Sequence, residues 1–162
     1  MADNKHFVVQ GALCLCKFSE TPMADKLKVK SHSKEYANDA EGKDKLIAST
    51  MEIGQTLEKN TFGNCKLQPT GSSYMPCQAV ITKWSGFYEK VTLSNKGKIL
   101  LEDSKATCPI GGPDCITIKN HGQKSELTQQ NLDNADDDVL AILYPFGNLK
   151  TIDNPKMTKQ NL

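Results

Sequence analysis

Arginine is absent from this 162-residue chain: all 20 of its cations are lysines, set against 19 acidic residues for a net charge of +1. The forked guanidinium that reads phosphates and base edges is therefore missing, and so is any long-range field that would attract a polyanion. Nucleic acid is not an expected partner. Long apolar runs are missing too. No stretch approaches the ~20 residues of a membrane helix, and Met1 to His6 lead into a β-like segment from Phe7 without the apolar stretch of a secretory signal. The expectation is a protein made and folded in a cytoplasm. Apolar residues as a whole are scarce, 38% of the chain against roughly 45–50% in an average globular domain. A core this lean calls for a second source of stability, such as metal, disulfides or a partner.

Catalytic signatures are lacking as well. There is no Gly-x-Ser-x-Gly, no phosphate loop, no HExxH and no dinucleotide-binding glycine fingerprint. The run Asp133 to Asp138 has neither the sixth-position glycine nor the distal glutamate of an EF-hand loop, so it reads as a solvated acidic turn or helix start. His6, His32 and His121 are the only histidines, and none sits in a recognisable catalytic motif. His121 reads as a turn residue, with a ligand role open to it if one thiolate is missing. Trp84, Phe87 and Tyr88 suit either core or an aromatic platform, and core is the commoner use.

What the sequence does contain is short β-like runs and turn residues. Phe7 to Cys16 is β-branched and apolar, with Gly11 at a bend, and Leu27 to Lys30 alternates like a strand with one wet face. Lys45 to Met51 fits a strand or a helix. Two stretches are dense in Gly, Pro, Ser and Asn and read as loops: Thr61 to Cys77, and Lys105 to Cys115. Between and after them, Val80 to Trp84, Tyr88 to Leu93, Ile99 to Leu101 and Ile116 to Lys119 read as strands. Ser94 to Lys98 forms a hairpin turn in which Asn95 or Gly97 takes the left-handed position. Beyond Gln123 the texture changes: a short helix is expected over Val139 to Leu143, stopped by Tyr144-Pro145-Phe146-Gly147, followed by a polar tail. The fold class is mainly all-β, with one domain over residues 1–123 and an extension over 124–162 that packs on or beside it.

The six cysteines fall at positions 14, 16, 65, 77, 108 and 115, with no CxxC pair. A zinc finger or thioredoxin-like motif in its usual form is thereby excluded. In a reducing compartment thiolates for metal are favoured over disulfides. Cys16, Cys65, Cys77 and Cys108 lie at a strand end or on turn-rich segments, where four stretches of chain could meet at a tetrahedral ion. A closed site of four thiolates is structural, because no position is left for substrate. Spacing alone leaves open the alternative of unlinked, buried small hydrophobes.

Taken in order, Val9-Gln10-Gly11-Ala12 with Cys16, Phe62-Gly63-Asn64-Cys65, Pro76-Cys77, Cys108 with Gly111-Gly112, and Ile116-Thr117-Ile118 with Gly122-Gln123 resemble the DUF4280 family. These are PAAR-like proteins found with type VI secretion and related contractile injection systems. The resemblance runs from about Val8 to Gln123. It implies a small β-rich cone that caps a trimeric VgrG-like spike, one copy per trimer, with a metal ion pinning loops near the apex. Cys16, Cys65, Cys77 and Cys108 match the family's cysteines and would hold a structural Zn2+, while Cys14 and Cys115 look like extras. The sequence departs from the family at Lys17-Phe18-Ser19, where a glycine more often follows the cysteine, and in the long stretch between Tyr36 and Thr61. The implied role is structural rather than enzymatic: a tip for membrane puncture, cytoplasmic until fired, in transient contact with a target membrane, able to recruit cargo effectors, and without a homo-oligomer. A small zinc-binding effector or adaptor carried by such a machine is the alternative, and a free-standing zinc module with another protein partner is a second.

Overall fold

The computed structural model describes residues 4–37 and 42–123. No helix occurs among the described residues, and nine strands build three antiparallel sheets. The largest has the order β2-β1-β9-β8-β5, from β1 (Leu13–Cys16), β2 (Asp25–Lys26), β5 (Lys83–Ser85), β8 (Lys105–Cys108) and β9 (Gly112–Asn120). Two ribbons complete the set: β3 (Asn64–Thr70) with β4 (Ser73–Pro76), and β6 (Tyr88–Thr92) with β7 (Lys98–Ile99). The mainly all-β expectation holds. The helix expected over Val139 to Leu143 lies outside the described residues.

The strands are short because the sequence punctuates them, and much of the remaining pairing is by single bridges. Phe7 bridges Leu101, Val9 bridges Ile47, and Ser49 bridges Ile99. Lys45 to Ser49 is therefore extended rather than helical, with Leu46 and Ala48 directed into the core, and Thr50 and Met51 turn the chain. Leu27 to Lys30 keeps the expected alternation, with Leu27 and Val29 buried and Lys28 and Lys30 exposed. The paired strand ends at Lys26, but Leu27 still donates to Ala12 O and accepts from the Gly11 N–H, both at 2.8 Å. On its other side it bridges Leu57 through the Lys28 N–H to Thr56 O (2.7 Å) and Glu58 N–H to Lys26 O (2.8 Å) bonds. Gly11 does make the bend expected of it, at φ 88°.

The two turn-rich stretches fold as hairpins rather than loops. Thr61 to Cys77 becomes β3–β4, closed by the two-residue turn Gly71-Ser72 with Gly71 at φ 52°, as a glycine-first hairpin turn requires. Lys105 to Cys115 becomes β8, the turn Pro109-Ile110-Gly111 and the start of β9. Pro113 is accommodated beside an irregular register between Ala106 and Cys108, where a missing N–H costs the ladder little.

In the β6–β7 hairpin the left-handed position is taken by Lys96 (φ 64°), not by Asn95 or Gly97. Asn95 serves through its side chain, whose Oδ1 accepts the Gly97 N–H at 2.9 Å. Gly97 is there for room: a Cβ would lie 2.6 Å from Ser49 Oγ and 2.8 Å from Met51 Cγ. Gly97→Ala is accordingly expected to destabilise the protein by about 1–3 kcal/mol through overpacking. A denaturant midpoint unchanged from wild type would contradict that account of the turn.

One buried core holds the sheets together, with Val8, Leu27, Leu57, Phe62, Ile81 and Trp84 among its fully or almost fully buried members. Trp84 is 2% exposed and donates its indole N–H to Glu52 O at 2.8 Å, so it is core and not a binding platform. Phe87 packs against the same core, and Tyr88 tilts against Phe7 with ring centroids 6.1 Å apart. Two buried carboxylates brace the long connections. Glu52 accepts the Lys30 N–H at 2.9 Å and the Ser31 hydroxyl. Asp25 accepts the N–H groups of Lys26, Lys59 and Thr61.

Candidate metal centre

Four of the cysteines meet in one place. Cys16 is the last residue of β1, Cys65 the second of β3, Cys77 follows β4, and Cys108 ends β8. All four line a single cavity, walled between them by Phe18, Phe62 and other largely apolar side chains.

The sheet registers explain why residues up to 92 positions apart in sequence converge, from Cys16 to Cys108. Cys16 pairs with Ile116 on β9, and Cys108 pairs with Gly112 on the same strand, so β1 and β8 deliver their last residues to one end of the sheet. The chain leaving β1 then bonds to β3: Ser19 bridges Cys65, and the Lys66 N–H reaches Phe18 O at 2.9 Å. Cys77 is set by its own N–H, donated to Gly63 O at 2.6 Å.

A fifth cysteine belongs to the group. Cys115, on β9, lies where the Cys16 thiol can donate to its sulfur, and its charge when ionised would bear on both Cys16 and Cys77. It is extra to the four family-matched cysteines, as the resemblance implied, yet it lies beside them. The available signal was the hairpin itself, since Cys108 and Cys115 flank one turn. Cys14, by contrast, is fully buried in the core with Asp25 as the charge nearest in effect.

The electrostatics of the group follow from burial. Desolvation pushes the Cys16 thiol up to about 11, opposed by a backbone N–H at Phe18 and reinforced by its cysteine neighbours. Cys77 and Cys115 are raised for the same leading reason, each with a backbone N–H that favours the thiolate, from Phe62 and Cys108 respectively. Backbone donors aimed at sulfur are what a thiolate–metal site uses to carry its excess charge.

The donor set would suit a soft or borderline ion such as Zn2+, which Cys16, Cys65, Cys77 and Cys108 would hold. A tetrahedral zinc with Zn–S near 2.3 Å sets its sulfurs about 3.8 Å apart. Among the described residues, the one group of three ligand atoms all within 4.8 Å of one another lies elsewhere. No three of the four thiols bring their sulfurs within 4.8 Å of one another, so an ion bound there would have to draw them inward. Bound there, the ion would supply cross-linking and not catalysis, since four thiolates leave no open position.

His121 is not among the residues lining this cavity; it follows the far end of β9. The three histidines, which had no local motif, do have partners in space. His32 is buried with Nε2 bonded to Ile47 O at 2.7 Å and Nδ1 3.3 Å from Glu35 Oε2, and His6 Nδ1 lies 3.2 Å from Glu102 Oε2. The run Asp133 to Asp138 lies outside the described residues.

Comparison with known families gives one match: the model described as a domain of unknown function, DUF4280, covers residues 8–123. No curated protein and no solved structure matches the chain.

Proposed function

The chain belongs to the DUF4280 family, and from that premise we propose that it is the tip protein of a contractile injection system, seated one copy per trimer on a VgrG-like spike. The observation that carries the reading is the convergence of four cysteines from four separate chain segments in a small, strand-rich member of this family. A tip driven through a membrane must be stiff, and a lean core alone leaves a domain of this size only marginally stable. A zinc ion tying β1, β3, the end of β4 and β8 would supply stiffness that a lean core does not.

The role is structural, with no catalysis, and zinc is a resident cross-link. Docking on the spike uses strand edges. In the five-stranded sheet the outer side of β2 is already taken by the chain around Leu57, with the Glu58 N–H on Lys26 O at 2.8 Å, so the edge considered is that of β5, three residues long. The outer ribbons expose Leu67 and Met75 on β3–β4 and Val91 on β6. Exposed edges bearing apolar side chains are suited to continuing the β-structure of a partner. In the producing bacterium the protein is cytoplasmic as part of the apparatus and leaves the cell on firing, with contact to the target membrane and to cargo limited to that event.

Native mass of the protein mixed with the spike protein encoded beside it tests this directly. The expected species is one copy on one spike trimer. A folded, metal-loaded sample that leaves the trimer at its own mass would overturn the reading.

A further inference from the structure

At the opposite end of β9 from the thiols lies a second set of ligand atoms that the spike-tip reading does not use. His6, Glu102 and His121 each place one ligand atom so that all three lie within 4.8 Å of one another. The distance from Cys115 to His121, six residues along an extended strand, is roughly 20 Å. The two sets are separate.

Each of the three is held by its backbone. The Glu102 N–H donates to His6 O at 3.0 Å, and the Val9 N–H donates to His121 O at 3.0 Å. Phe7 bridges Leu101 and accepts the Gln123 side-chain N–H at 2.5 Å through its carbonyl. The chain entering the domain, the turn after β7 and the chain leaving β9 are thereby brought side by side. The imidazoles of His6 and His121 stack with centroids 4.4 Å apart and planes 9° from parallel, and Glu102 Oε2 lies 3.2 Å from His6 Nδ1. Two imidazoles and a carboxylate on three pinned segments form the donor set of a borderline transition metal, not of calcium or magnesium.

We propose that His6, Glu102 and His121 form a second metal site, for Zn2+ or a neighbouring divalent transition ion, which clasps the two ends of the domain together. Tetrahedral coordination at about 2.0–2.2 Å brings the ligand atoms to about 3.4 Å of one another, a small inward movement for side chains that are exposed or half-buried. An ion lies in the plane of each imidazole that binds it, so the rings must tilt out of their parallel stack. His121 Nδ1 now accepts the Gln123 N–H at 3.1 Å. Coordination through either ring nitrogen ends that bond: the ion takes the Nδ1 lone pair directly, or it takes Nε2 and leaves the proton on Nδ1. The ion also displaces any proton held between His6 and Glu102, so binding releases protons to solvent. The fourth position, facing solvent, is filled by water.

The test counts zinc ions bound to untagged protein by native mass spectrometry, for wild type, His6→Gln and Glu102→Gln. His6 has its side chain 57% exposed and Glu102 37%, so neither substitution disturbs the core. Loss of an outer hydrogen-bond partner costs about 10–100-fold in metal affinity, and loss of a ligand costs no less. Each variant is therefore expected to carry one ion fewer than wild type at zinc concentrations that fill the wild-type site. The Gln123 amide resonance is expected to shift on zinc titration of wild type and to stay in place in His6→Gln. Equal ion counts in wild type and both variants overturn the proposal, as does a Gln123 amide indifferent to zinc. Because the result is read as a difference from wild type, occupancy of the thiol site or failure of the spike-tip reading leaves it intact.

Discussion

Stripping zinc from the reduced protein with a strong chelator is expected to lower its melting temperature by about 10–20 °C. Structural zinc binding in small domains is worth about 10–16 kcal/mol at neutral pH, and binding energy of this kind is folding energy. If only 5 kcal/mol of it survives the cost of drawing the thiols together, a chain of this size shifts by about 2–4 °C per kcal/mol. The thiols must ionise to bind, and burial holds Cys16 up at about 11 when no cation is near. Zinc stabilisation should accordingly weaken as the pH falls, because each proton must be displaced by the ion. Cys65→Ser and Cys77→Ser are expected to reproduce most of the chelator effect and to leave chelator only the contribution of the second site to remove. Cys14→Ser is a useful contrast, since Cys14 lies in the core apart from the group and its replacement should cost stability without changing the response to chelator. A wild-type melting curve indifferent to chelator and reductant would sink the zinc cross-link.

Asp25→Ala is the single substitution expected to cost the most stability away from the cysteines, about 3 kcal/mol or more. Asp25 is 3% exposed, and its carboxylate accepts backbone N–H groups of Lys26 (2.9 Å), Lys59 (3.0 and 3.1 Å) and Thr61 (3.4 Å). Alanine leaves these donors without their acceptor, and a buried unsatisfied donor costs about 1–3 kcal/mol. The location magnifies the consequence. Lys59 and Thr61 belong to the segment that leads into β3, and hence to Cys65, so loosening it also loosens a ligand of the proposed metal. Asp25→Asn keeps one acceptor oxygen but sets an amide N–H2 among donors, and is expected to fall between alanine and wild type. Urea denaturation measures all three; an alanine variant within 0.5 kcal/mol of wild type would show that the segment finds its hydrogen bonds elsewhere.

Both predictions concern features that differ in how far a linear reading could reach them. Cys16, Cys65, Cys77 and Cys108 were legible as a set because they recur at strand ends and turns in the order of a family motif, and the fold does bring them to one cavity. Cys115 was legible only as extra to the family's four, because its nearness to Cys16 depends on β9 running back past β1 and β8, a pairing that no local pattern announces. The two hairpins read as loops failed for a related reason. Gly, Pro and Ser mark turns, yet in Cys65 to Pro76 and Lys105 to Cys115 they also occupy strand positions made tolerable by register irregularities.

What the sequence determined by itself was the strand-rich class and the places where strands stop, because these depend on β-branched residues, alternation and glycine or proline within a few positions. It also excluded an arginine-based nucleic-acid surface and the common catalytic motifs, since composition and spacing suffice for that. The tertiary structure decided which side chains meet. The acceptor role of Asp25, the crowding at Gly97, the fifth thiol and the pairing of His6 with Glu102 and His121 all join residues dozens to more than a hundred positions apart. Antiparallel pairing and core packing set such distances, and the free energy that selects one pairing is summed over the whole domain, so no short window of sequence contains it.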